Sequence, residues 1–192
     1  SSSPLKINNK ESIAKNLAIY SAFTEGLQLF SSFAILLNFP RFGKMKGMGQ
    51  IVTYSIRDES LHVEAMTKLF REFMQENINL WTDDFKKEIY TVCRQMVKLE
   101  DKFLDLVFEM GDIQGLTKSE MKEYIRYIAD RRLLQLGLKT NFGVKDNPID
   151  WIDDVLGVEH QNFFEGRATT YMKGGLKGSM ESVQFKGIAV EG

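Results

Sequence analysis

The chain has 192 residues, 43% of them hydrophobic and 27% charged, and a formal net charge of −1. That length suffices for one domain with a sizeable core, and the charge balance argues against a nucleic-acid surface or an anionic-membrane patch, both of which need clustered Lys and Arg. Cys93 is the single cysteine, which excludes an intrachain disulfide, a zinc ribbon and a dithiol redox centre and fits a reducing, cytoplasmic setting.

The chain opens Ser1-Ser2-Ser3-Pro4 without an initiator Met, so it is expected to start inside a longer reading frame, to have been processed, or to carry added residues. Nothing there reads as a signal peptide, and the apolar run from Phe33 to Leu37 is too short to span a bilayer. From Ser12 to Asn38 apolar residues recur at Ile13, Leu17, Tyr20, Phe23, Leu27, Phe30, Ala34 and Leu37. This is the period of one long helix, capped by Ser12 and ended by Pro40 and Gly43. Lys46 to about Gln75 carries Ile56, Leu61, Val63, Leu69 and Phe70 without a proline and predicts a second long helix. A third runs from about Thr82 to Met110, with Asp83 and Asp84 at its positive end and Gly111 as its stop. A fourth opens at Thr117, where Thr-Lys-Ser-Glu reads as a capping box, and closes at Leu136 before Gly137. Ile149 to Leu156 is short enough for one or two helical turns. The Gly-, Lys- and Ser-rich stretch from Gly174 to Gly192 reads as a mobile tail. The expectation is an all-α chain, with residues 1–157 forming helices of a bundle and 158–192 a flexible C-terminal tail.

Glu59-Ser-Leu-His62 places two metal-binding side chain types three apart, on one helical face. Glu25 lies 13 residues before Asn38, and Glu59 lies 13 residues after Lys46. If residues 39–45 turn an antiparallel hairpin, both carboxylates stand about 20 Å from the turn at one level. A lone Glu-x-x-His usually faces solvent. Here the neighbours are Phe23, Leu27, Leu29 and Phe30 around Glu25, and Ile56 and Leu61 around Glu59, and a buried carboxylate needs a partner or a metal. Two carboxylates and an imidazole suit iron or manganese, whereas structural zinc more often recruits thiolates.

Dinuclear carboxylate bundles use a Glu from each of two helices and a Glu-x-x-His from each of two others. The chain holds one of each. Its other histidine, His160, has no Glu three residues before it, so the remaining ligands must come from another polypeptide or a second copy. Asp58 reads either as an exposed partner of Arg57 or as an acceptor for the free N–H of a ligand histidine. Phe30, Phe33, Met66, Phe70 and Phe73 read as core, His160 as a surface residue, and Tyr171 as an ordinary linker tyrosine unless it has a redox role.

Ala22-Phe-Thr-Glu-Gly-Leu-Gln-Leu-Phe-Ser-Ser-Phe33 and Ile56-Arg-Asp-Glu-Ser-Leu-His62 resemble the second half of the small (β, radical-generating) subunit of class I ribonucleotide reductase. Asn147-Pro148 with Trp151, then Asn162-Phe-Phe-Glu through Arg167-Ala-Thr-Thr-Tyr171, resemble that subunit's C-terminal region. The resemblance implies a ferritin-like helical bundle of which this chain is the C-terminal half. It makes Glu25, Glu59 and His62 ligands of a dinuclear centre, Fe/Fe first with Mn/Fe or Mn/Mn as alternatives. Asp58 and Tyr171 become steps of a radical-transfer route to the large subunit, where ribonucleotides are reduced. The implied partners are the N-terminal half with the missing ligands, a second small-subunit protomer and the large subunit. Three other readings stay open: a homodimer supplying both ligand sets, a different ferritin-like oxidase, and a non-catalytic helical regulator.

Overall fold

The structure is a computed structural model and describes residues 4–156. It is built from α1 (Pro4–Ala18), a π-helical turn (Ile19–Thr24), α2 (Phe30–Arg41), α3 (Lys46–Glu76), α4 (Asp83–Glu109), α5 (Lys118–Gln135) and the short α6 (Trp151–Leu156). Among the described residues there is no strand, only an isolated bridge between Ile113 and Leu116, and no helix long and apolar enough to cross a membrane. The all-α expectation holds, and α3, α4 and α5 fall within a residue or two of their expected limits.

The first helix departs from expectation. It begins at Pro4, so Ser12 is an exposed residue in its body and caps nothing. It is also broken: α1 ends at Ala18, and a π-turn and a further turn separate it from α2. The Glu25 N–H donates to the Tyr20 carbonyl at 3.0 Å and the Gln28 N–H to that of Phe23 at 3.2 Å, spans of five residues where an α-helix uses four. Pro40 does not stop α2 but sits in its last turn, and the exit is made by Gly43 at φ +75°. The Pro40 ring packs onto α3 at Gly49, where any Cβ would collide with it. The α2–α3 hairpin is therefore tight, with its turn at residues 42–45.

The remaining caps follow local chemistry. Thr82 accepts from the Phe85 N–H at the start of α4, and Thr117 and Glu120 close the capping box of α5. Gly137, at φ +83°, reverses the chain after α5, with the Leu138 N–H returning to the Leu133 carbonyl at 2.9 Å. The α1–α2 strip packs against α3 on one side and against α4 and α5 on the other. Phe70, Trp81 and Phe85 form an aromatic cluster that ties α3 to α4, with ring centres 5.9–6.5 Å apart. Of the aromatic and Met stripe, Phe30 and Phe70 are fully buried, and Phe33, Met66 and Phe73 are half-buried. The bundle part of the domain expectation falls on described residues. The proposed tail, with His160 and Tyr171, lies outside them.

Candidate metal centre

Glu25 emerges where the π-turn ends, and Glu59 and His62 stand three apart on α3. The π-turn carries one residue more than an α-helical turn, and Glu25 caps its C-terminal end. Glu25, Glu59 and His62 each offer a ligand atom, and these atoms all lie within 4.8 Å of one another. His62 Nδ1 is 3.7 Å from Glu59 Oε2, near the roughly 3–3.5 Å that separates two donors bound about 2.1 Å from one ion. Glu59 Oε2 is buried and has no hydrogen-bond partner among the described residues. A buried carboxylate oxygen left without a donor is costly, and a cation would satisfy it. On donor chemistry, spacing and this orphaned oxygen, the three residues fit a hard or borderline divalent ion.

The trio does not lie deep inside the protein, as its apolar sequence neighbours led one to expect. Glu25 and Glu59 are half-buried, and the His62 side chain is 65% exposed. The reason is that α3 buries Ile56, Ser60, Val63 and Thr67 but leaves its neighbouring face open. Ile51, Tyr54, Leu61 and Leu69 on that face are all more than half exposed, and Asp58 is exposed among them. Asp58 is thus one helical step from Glu59 but not part of the converging group.

Two buried charged residues that bond to the α1–α2 segment carry no signal of their own in the sequence. Glu100 of α4 is buried and accepts a hydrogen bond from the Ser31 hydroxyl of α2; burial pushes its carboxyl up to about 7. Arg132 of α5 is fully buried and donates through Nε to the Gly26 carbonyl at 2.7 Å, with burial pulling its guanidinium down to about 10. Only helical phase betrays them. Glu100 continues the buried series Phe85, Ile89, Cys93, Val97, and Arg132 falls among Ile125, Ile128, Ala129 and Leu133.

Residues 3–148 match the family model described as "Ribonucleotide reductase, small chain". The chain belongs to that family. It is 45% identical over 170 residues to the "Probable ribonucleoside-diphosphate reductase small subunit" of Invertebrate iridescent virus 3, covering 88% of this chain and 45% of that protein. To the ribonucleoside-diphosphate reductase subunit beta of Chlamydia pneumoniae it is 35% identical over 162 residues, covering 84% of this chain and 46% of the other. A solved ribonucleotide reductase subunit from Clostridium botulinum superposes with a TM-score of 0.69 at 27% identity, over 73% of this chain and 44% of that one. This member of the small-chain family therefore has the ferritin-like helical bundle fold, and it spans about half the length of the curated relatives it matches.

Proposed function

We propose that this chain contributes one half of a dinuclear metal site to the radical-generating subunit of a class I ribonucleotide reductase, an oxidoreductase that converts ribonucleoside diphosphates to deoxyribonucleotides. The observation that carries the reading is the convergence of Glu25, Glu59 and His62 around an orphaned carboxylate oxygen, in a member of the small-chain family. Glu25 and Glu59 would supply negative charge and His62 a neutral nitrogen to a pair of iron or manganese ions. Those ions, when bound, supply the one-electron redox chemistry that side chains alone do not.

The chain's own residues set the environment. The α2–α3 hairpin fixes the level of the two carboxylates, and Phe23, Leu27 and Ile56, all fully buried, exclude water from behind the site. The open face of α3 supports a missing partner. Its apolar residues flank His62, and a helix bearing the complementary Glu-x-x-His would cover both at once. In this reading an upstream half of the small subunit supplies that helix, a second small-subunit protomer completes the dimer, and the large subunit holds the substrate. Asp58, on the open face, and Tyr171, outside the described residues, are assigned to radical transfer by family resemblance.

Intact mass spectrometry of the native assembly, combined with metal analysis, tests this reading. The expected result is a polypeptide supplying the second Glu-x-x-His and about two iron or manganese ions per site. An assembly without such a partner sequence and without those metals would refute it.

A further inference from the structure

We propose that Arg132 is a positioning residue for the Glu25 carboxylate, holding the backbone turn from which that side chain projects; this rests on reading Glu25, Glu59 and His62 as metal ligands. In an unbroken helix the Gly26 carbonyl would accept from the N–H of Phe30, four residues on. Here the Phe30 N–H donates to the Leu27 carbonyl at 3.1 Å, so the Gly26 oxygen needs another donor. Arg132 provides it from α5, through Nε at 2.7 Å.

The arrangement is built rather than incidental. Arg132 is fully buried, its guanidinium carbon lies 4.8 Å from the centre of the Phe30 ring, and Nη1 donates to Gln135 Oε1 at 3.0 Å. A guanidinium is costly to bury unless its donors are used, and this one is used on the residue next to Glu25. Ring contact and the second hydrogen bond fix the plane of the guanidinium. It therefore directs the carbonyl more tightly than a flexible ammonium could. Gly26 is the complementary feature: a Cβ there would lie 2.5 Å from the Ala22 carbonyl oxygen and 2.7 Å from Arg132 Nε. A side chain at position 26 would press on the guanidinium and also on the carbonyls of Ala22 and Ser21, the latter at 2.9 Å, and so disturb the turn from which Glu25 projects.

Mn(II) affinity and the Mn(II) EPR line shape of the assembled small subunit separate this role from general packing. Arg132→Lys and Gly26→Ala are each expected to weaken Mn(II) binding by roughly 10–100-fold and to change the line shape. Asp130→Asn, a buried change on the same helix whose hydrogen bonds go to residues 141–144, is expected to lower Tm and leave both readouts unchanged. If Arg132→Lys fails to fold, Arg132→Gln decides, since Gly26→Ala also presses on the carbonyls of Ser21 and Ala22. Wild-type affinity and line shape in a folded variant at either position would overturn the proposal alone. Absence of Mn(II) binding by the wild-type assembly would overturn the reading of the site and this proposal with it.

Discussion

The hydroxyl of Ser31 on α2 donates to Oε2 of Glu100 on α4, joining two buried polar residues across the packed interior. Burial dominates the titration of Glu100 and raises its carboxyl to about 7; the Ser31 hydrogen bond pulls it down, and neighbouring Asp101 pushes it up. The folded state therefore holds the Glu100 proton more tightly than the unfolded chain does, where the ordinary value is 4.5. Stability falls as pH rises from about 4.5 to about 7, by a total on the order of 3 kcal/mol, and the loss is complete above the folded value. Glu100→Gln removes the ionisation. Thermal melts should show the variant roughly 6–12 °C more stable than wild type at pH 8, with a much smaller difference at pH 5. Parallel pH profiles for the two proteins would contradict this.

Asp130 holds the connection after α5. Its two oxygens accept from the N–H groups of Asn141, Phe142, Gly143 and Val144 at 2.7–3.2 Å, and it is 1% exposed. Truncation leaves several donors without an acceptor. Asp130→Ala is expected to cost about 2–4 kcal/mol of unfolding free energy in urea titrations. Hydrogen exchange should accelerate at residues 141–144 ahead of the helices.

Cys93 lies in the buried stripe of α4, and burial, with Asp130 nearby, pushes its thiol up to about 12. The thiolate is the reactive form, so the folded protein should resist iodoacetamide at pH 8. One equivalent of label should appear only on unfolding, as read by mass spectrometry.

The helices are legible in the sequence because their apolar residues keep a strict period over long stretches, and Thr82, Thr117 and Gly137 carry unambiguous end chemistry. The level shared by Glu25 and Glu59 is legible too, since counting residues from a hairpin turn is insensitive to a small shift of its ends. The break between α1 and α2 is not. Apolar spacing from Ile13 to Leu37 averages out one inserted residue, and the turn that follows the π-turn receives a hydrogen bond from the distant Arg132 onto Gly26, a tertiary contact that no local pattern encodes. Arg132 and Glu100 illustrate the same gap. Each is a charged residue on a buried face, and which side of that face meets a partner depends on the packing of distant helices. Glu59 reads as interior because its neighbours Ile56 and Leu61 are apolar, yet Leu61 proves to be 58% exposed on the open face.

That open face yields its own prediction. Ile51, Tyr54, Leu61 and Leu69 should lose their exposure when the complementary helices are present. Leu61→Asp and Leu69→Asp would then weaken association with the proposed partner helices while leaving the helix content of this chain unchanged. Size-exclusion chromatography and circular dichroism read the two effects separately.

Whether Glu25, Glu59 and His62 hold metal is decided by the metal content of the assembled small subunit with Glu59 or His62 replaced by Ala, measured by inductively coupled plasma mass spectrometry beside the wild type. About two ions per site are expected in the wild type, with a loss of at least one in each variant. Undiminished metal in both variants would contradict the assignment.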